Sequence, residues 1–275
     1  MASKFPPSAE AIPHPRIDTC PPEPGTGAKV PLIGRGDHCI IDLDGTLIRG
    51  GQAIAGAARL IDRLDGRYVI VSNNSRDLAS ELGTELGRLG LNIPPDRLVL
   101  AGEETIRFVA AHYPSSRCLI ATSFRMRQLA RREGLVPVRE NADFVILGRD
   151  LAWSYARLAH LINELRRGAG LIVTNPDLTH PDLDGKVLPE TGTLLSALQI
   201  GAGVAPSHII GKPEPLLFLA AVERLAALPS QTIVIGDNPL TDQVGAERLG
   251  MRWILVHADR ADGLPSLEDM VFAAV

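Results

Sequence analysis

The sequence predicts an α/β fold, a doubly wound parallel sheet that carries a smaller inserted α/β unit. Short apolar runs rich in Val and Ile, such as HCIID, YVIVS, DFVILG, GLIVT and TIVIG, alternate with longer stretches whose apolar residues recur at helical spacing. The runs are continuously apolar, as for strands covered on both faces of a parallel sheet. The alternation breaks at Pro114, Ser115 and Ser116 and then restarts, which marks a second unit set inside the first.

In chain order, residues 1–36 read as an extended or disordered arm. Eight of the 21 prolines fall within the first 31 residues, and a stretch without apolar periodicity cannot offset its ordering entropy. The first part of the core spans 37–117. It holds a strand ending at Asp42, a helix over Ala55–Leu64 and a strand over Tyr68–Val71. A helix over Asp77–Leu89 is expected to follow Ser72 directly and to point its free N–H groups at the crevice. A strand over Leu98–Ala101 and a helix over Glu104–His112 complete this part. The insert, 118–205, starts with strand CLIAT and a helix through Leu129. Strand ADFVILG, a helix over Ser154–Leu165 and strand GLIVTN follow, and Gly201–Pro206 serves as a linker back. The second part of the core, 206–275, holds helix Pro215–Leu228, strand TIVIG, helix Thr241–Leu249 and strand RWILVHA.

A chain of 275 residues suits a core plus an inserted unit. Its net charge of −4 gives no electrostatic case for nucleic acid or an anionic membrane as partner. The basic run Arg125–Arg132 reads as one solvated helix face. Cys20, Cys39 and Cys118 lack metal-ligand spacing and form no disulfide framework, which points to a reducing compartment. With no apolar stretch of signal-peptide or membrane-span length, the reading is a soluble cytoplasmic protein.

The chemistry-bearing residues collect at the carboxyl ends of the apolar runs, where ligands of open α/β sheets bind. Asp42 and Asp44, one residue apart at a strand end, face the same side. Adjacent anions there call for a cation or a shared proton. Asp-x-Asp-Gly also occurs in calcium loops and plain turns. Ser72 closes the second run and is equally suited to capping a helix. Lys212 lies between Gly211 and Pro213 after Ile209–Ile210, and Asp237 and Asp242 follow TIVIG. Oxygen-only ligands in such a cluster suit Mg²⁺.

DLDGTL, SNNS, GKPEP and GDNPLTD, in that order, resemble the four motifs of the haloacid dehalogenase-like phosphatase superfamily. The insert with IVTNPDLTHP resembles that of the NagD-like, 4-nitrophenylphosphatase-type subgroup with a C2-type cap. The resemblance runs from about Asp37 to Val256. It implies a Rossmann-like core with an α/β cap and Mg²⁺-dependent hydrolysis of a small phosphate monoester. Asp42 would be the nucleophile that forms an aspartyl-phosphate, Asp44 the proton donor and acceptor, and Thr46 a support. Ser72, where the family usually has Thr, would contact phosphate together with Asn73 and Lys212. Asp42, the Asp44 backbone carbonyl and Asp237 would hold the metal, with Asp242 orienting Lys212 or a water beside the metal.

Asn175 and Asp177 match the subgroup's TN-x-D pattern in the cap, and His180 and Glu190 are the selectivity candidates. VLPETGT departs from the small residues usual near Glu190. The substrate classes implied are a sugar or cyclitol phosphate, a nucleotide, phosphoglycolate or pyridoxal phosphate. Two other readings stay open: a phosphotransferase that passes the group to an acceptor alcohol, and a non-catalytic phosphometabolite-binding protein. The partners expected are a small phosphorylated metabolite and a second copy through the cap, with neither nucleic acid nor membrane.

Overall fold

The computed structural model describes residues 32–181, 186–257 and 265–272. Ten strands form its two large sheets: β1 (His38–Asp42), β2 (Tyr68–Ser72), β3 (Leu98–Leu100), β4 (Arg117–Ala121), β5 (Val136–Pro137), β6 (Phe144–Leu147), β7 (Gly170–Val173), β8 (His208–Ile209), β9 (Thr232–Gly236) and β10 (Arg252–Leu255). The helices are α1 (Ala57–Leu64), α2 (Ala79–Arg88), α3 (Ala101–His112), α4 (Phe124–Arg132), α5 (Tyr155–Arg166), α6 (Thr191–Ala202), α7 (Pro215–Leu225) and α8 (Val244–Arg248).

The first sheet has the order β10-β9-β1-β2-β3, all parallel. The chain works outward from β1 on one side through β2 and β3, then returns to its other side with β9 and β10. The order therefore reverses at β1, and the crevice at its carboxyl end is where a ligand is expected. Alternation along the strands divides the apolar residues between two layers. Cys39, Ile41, Ile70, Ile233 and Ile235 pack against Leu60 and Leu64 of α1 and Leu82 and Leu86 of α2. Ile40, Val69, Val71 and Val234 pack against Leu217, Phe218 and Ala221 of α7. Phe218 is fully buried, and truncating it to Ala would cost about 3–5 kcal/mol.

The second sheet has the order β8-β7-β6-β4-β5, also parallel. One face is covered by α4 (Met126, Leu129) and by Ile106 and Val109 of α3. The other is covered by α5 (Leu161, Leu165) and α6 (Leu194, Leu195, Leu198). Ser123 and Ser154 cap α4 and α5 by accepting the Met126 and Arg157 N–H groups at 3.3 and 3.1 Å. Along α4, Arg131 and Arg132 are exposed while Met126, Leu129 and Ala130 are buried, so this end of the basic run is a solvated face.

Four differences from the sequence reading have physical causes. The second sheet extends past 205, because Ile172 and Val173 of β7 pair with His208 and Ile209 of β8. Residues 1–31 of the expected arm lie outside the described residues, but Leu32–Ile33 pairs in parallel with Val271–Phe272, so the tail of that segment is built into the fold. The helix after TIVIG is interrupted: Asn238 Oδ1 accepts the Leu240 N–H at 2.9 Å, and a five-residue π turn (Pro239–Gln243) precedes α8.

The fourth concerns α2, which does not follow Ser72 directly. Asn74 Oδ1 accepts the N–H groups of Arg76 and Asp77 at 2.9 and 3.0 Å and folds the intervening residues into a turn. The helix opens only at Ala79, whose N–H goes to Glu103 Oε1 at 3.0 Å rather than to the crevice. Among the described residues no helix is long and apolar enough to cross a membrane.

Candidate active site

Asp42 ends β1, Ser72 ends β2 and Asp237 follows the last residue of β9, so adjacent strands deliver three polar groups to one crevice. Lys212 arrives from the other sheet, on the return from β8 to α7. Its Nζ is ion-paired with Asp42 Oδ1, and with Asp242 Oδ1 at 2.7 Å. All three residues are at least nine-tenths buried, with exposures of 6% for Asp42, 3% for Lys212 and 2% for Asp242. Burial disfavours the Lys212 ammonium, yet Asp242 and Asp42 together hold it well above the ordinary lysine range.

The remaining oxygen of Asp42, Oδ2, accepts from Thr46 Oγ1 at 3.0 Å. Asp44 Oδ2 accepts from Ser72 Oγ at 3.3 Å, and Ser72 Oγ in turn accepts the Asn74 N–H at 3.1 Å. Burial, with Asp42 alongside, pushes Asp44 and Asp237 up to about 6 each. Gly45 makes the close approach of Asp237 feasible: at φ +90° a Cβ there would lie 2.0 Å from Asp237 Oδ2.

Oxygens of Asp42, Asp237 and Asp242 lie within 4.8 Å of one another. Counting Asp44, four carboxylates share the crevice with the single ammonium of Lys212. That excess of negative charge, presented by oxygen donors alone, fits a hard divalent cation. Asp42 and Asp237 could hold it, whereas Asp242 is already committed to Lys212.

Asn73 ties the second sheet to this centre. Its Oδ1 accepts the Lys212 N–H at 2.8 Å, and its Nδ2 donates to the Lys212 carbonyl at 3.0 Å and to Asp177 Oδ2 at 2.9 Å. Asn175, fully buried after β7, donates Nδ2 to the Asn73 carbonyl at 2.8 Å and to Thr191 Oγ1 at 3.3 Å. Gly192 allows α6 to abut this segment, since a Cβ there would fall 2.2 Å from the Pro176 carbonyl oxygen. Glu190 caps α6 through the Thr191 N–H at 3.0 Å and faces His180 Nδ1 at 3.6 Å and Arg149 Nη1 at 3.4 Å.

The structure thus brings Asp42, Asp44, Ser72, Asn73, Lys212, Asp237 and Asp242 to one crevice, with Asn175, Asp177, His180 and Glu190 on its cap side. Asp182 and Asp184, two further acidic residues of the stretch TNPDLTHPDLDG that carries Asn175 and Asp177, lie outside the described residues. The sequence reading passed over Arg149 and Ser75, whose Oγ accepts the Arg149 N–H at 2.9 Å. Arg149 stands two residues beyond β6, the same strand-end position that picked out Asp237, and that rule would have found it.

Residues 39–136 match the family model described as haloacid dehalogenase-like hydrolase, and residues 209–267 match a second, described as HAD-hydrolase-like. An acid sugar phosphatase of Staphylococcus aureus is 31% identical over 235 residues, which cover 84% of this chain and 88% of that protein. A 4-nitrophenylphosphatase from Thermotoga maritima superposes with a TM-score of 0.77 at 28% identity, covering 86% of this chain and 93% of that one. A glycerol phosphate phosphatase from Mycobacterium tuberculosis, solved with calcium and also with magnesium, superposes in the calcium complex with a TM-score of 0.74 at 30% identity, covering 81% of this chain and 66% of that one. The chain belongs to the haloacid dehalogenase-like hydrolases, in their NagD-like and 4-nitrophenylphosphatase-type branch.

Proposed function

We propose that this phosphoric monoester hydrolase cleaves a small phosphorylated metabolite through a phosphoenzyme on Asp42, with Mg²⁺ as the metal. The observation that carries the reading is the buried Lys212 ammonium seated on Asp42 amid further carboxylates, at the point where the strand order reverses. Asp42, Asp237 and the Asp44 backbone carbonyl would hold Mg²⁺, whose positive charge would offset the negative charge of the phosphoryl oxygens.

An Asp42 carboxylate oxygen attacks phosphorus, and the leaving alcohol takes a proton from the Asp44 carboxyl. Water then attacks the aspartyl-phosphate and returns a proton to Asp44. Lys212 draws the equatorial oxygens toward itself and keeps the carboxylates from repelling them. Asp242 fixes the Lys212 ammonium at 2.7 Å, and Thr46 fixes the second oxygen of Asp42. Ser72 and Asn73, at the end of β2, line the phosphate position. The phosphatases among the relatives support water rather than an alcohol as the final acceptor.

Rapid-quench trapping across phosphates of graded leaving-group acidity tests the roles. Asp42→Asn should form no phosphoenzyme. Asp44→Asn should lose about 10²–10⁴-fold, and less for an acidic phenol that needs no proton. Phosphoenzyme on Asp42→Asn, or full turnover after exhaustive chelation, would overturn the reading.

A further inference from the structure

On the cap side of the crevice stands a charged pair for which the phosphate chemistry has no use. Arg149 follows β6 and Glu190 caps α6; Nη1 and Oε1 lie 3.4 Å apart. Both side chains are largely buried, at 22% and 14% exposure. Each is tied to the phosphate end of the site by hydrogen bonds, Arg149 through its backbone and Glu190 through its side chain. The Arg149 N–H is held by Ser75 Oγ at 2.9 Å, three residues beyond the end of β2. Glu190 is joined through Thr191 and Asn175 to the Asn73 carbonyl. Arg149 Nε has no hydrogen-bond partner among the described residues, so the guanidinium is not consumed by the ion pair. Asp177 adds a second carboxylate between Glu190 and the catalytic centre, close enough to act electrostatically on both Glu190 and Asp42.

Two consequences follow for whatever alcohol leaves phosphorus as Asp42 takes up the phosphoryl group. Carboxylate acceptors beside a guanidinium donor match the donor-acceptor hydroxyls of a polyol. Beyond the phosphate site two carboxylates, Glu190 and Asp177, face one guanidinium, Arg149, so the charges of these three groups sum to negative. A second anion on the substrate would meet that field in a partly desolvated place, where like charges are costly. We infer that Arg149 and Glu190 are specificity-determining residues that admit neutral, hydroxyl-bearing leaving groups and reject leaving groups carrying their own carboxylate or second phosphate. This deepens the proposed function and rests on Asp42 as the phosphoryl acceptor.

The test uses the full chain with Mg²⁺ and three probes: glycerol 3-phosphate, 2-phosphoglycolate of similar size, and 4-nitrophenyl phosphate as the reference for phosphate chemistry. Wild-type kcat/KM should favour glycerol 3-phosphate over 2-phosphoglycolate by about tenfold or more. Glu190→Gln, which keeps a capping oxygen for Thr191, should shrink that ratio by about tenfold. Arg149→Met should widen it, because the negative field is then unopposed. Opposite movements of the ratio separate a charge filter from general damage to the scaffold, which would lower both substrates alike. A wild-type ratio near one, or variant ratios that stay put or move together, overturns the inference while turnover of the aryl phosphate leaves the hydrolase reading standing. No wild-type turnover of any probe removes the hydrolase reading and this inference with it.

Discussion

Asn73 holds Lys212 by both ends of its amide, accepting the Lys212 N–H at 2.8 Å and donating to the Lys212 carbonyl at 3.0 Å. The pairing resembles a rung of a β-ladder made by a side chain, and it sets the root of the ammonium relative to β2. Because Asn73 immediately follows Ser72, the position of Lys212 over Asp42 is referenced to the phosphate side of the site and not only to α7.

Removing that amide should therefore misplace the ammonium without unfolding the chain. Asn73→Ala is expected to cut kcat on 4-nitrophenyl phosphate by about 10²-fold, the scale on which a displacement of about 1 Å acts. Circular dichroism and the urea midpoint should stay close to wild type. Wild-type turnover in this variant would show that Lys212 is placed by its own ion pairs with Asp42 and Asp242.

Gly45 gives a second test, directed at the metal. A methyl group at this position would lie 2.0 Å from Asp237 Oδ2, and φ of +90° strains any side chain besides. Gly45→Ala should push Asp237 away and raise the Mg²⁺ concentration for half-maximal activity by about 10–100-fold, the range seen when a ligand's support is lost. Titration of activity against Mg²⁺ reads this directly. An unchanged midpoint would argue that Asp237 does not touch the metal.

The difference between what could and could not be read from the chain follows one physical line. Asp42, Ser72 and Asp237 were legible because each ends or directly follows an apolar run, and parallel strands bring such ends together whatever the loops do. Lys212 was legible as a strand-end residue, but not the sheet its strand joins, because pairing of His208 with Ile172 is a long-range choice. The start of α2 was misplaced because Leu78, Leu82 and Leu86 keep helical spacing while Asn74 turns the backbone just ahead of them. Asn-x-x-Asp at 74–77 is a turn signal that outranks the apolar spacing. Helix α6 went unassigned because Thr191, Gly192 and Thr193 open it with poor helix formers, and it is held by Asn175 and Pro176, distant in sequence. Arg149 carries no periodic signature; its one mark in the sequence is its place directly after the apolar run DFVILG.

Glu164 offers a stability prediction with a definite sign. It is almost fully buried at 1% exposure, accepts the Ala142 and Asn141 N–H groups at 3.1 and 3.3 Å, and pairs with Arg167. Burial alone would raise its pKa, but Arg167 and the two N–H groups prevail and hold the carboxyl below its ordinary value. A depressed folded-state pKa stabilises the fold above the unfolded value, and that contribution is lost as pH falls through the folded one. Glu164→Gln should thus destabilise by about 1–3 kcal/mol near neutral pH, and the gap from wild type should narrow below about pH 4. Urea unfolding across that range measures it. A gap independent of pH would mean that shape, not charge, is what the site requires.

The charge filter on the cap side should itself depend on pH, in a direction the structure dictates. Burial pushes Glu190 up, with the Thr191 N–H and Arg149 opposing and Asp177 adding to the rise. Burial likewise raises Asp177, against the pull of Asn73 and Lys212. Both carboxylates therefore take up protons at higher pH than an ordinary Asp or Glu. Both changes make the region less negative as pH falls, while the substrate carboxylate stays ionised down to about pH 4. The preference for glycerol 3-phosphate over 2-phosphoglycolate should accordingly decline from about pH 8 to about pH 5. The shared phosphate and the Asp44 proton transfer affect both substrates alike and cancel in the ratio. In Glu190→Gln the decline should be shallower, since one of its titrating groups is gone. A ratio that is flat in the wild type, or that grows toward acid, would show that the leaving group does not sense these charges.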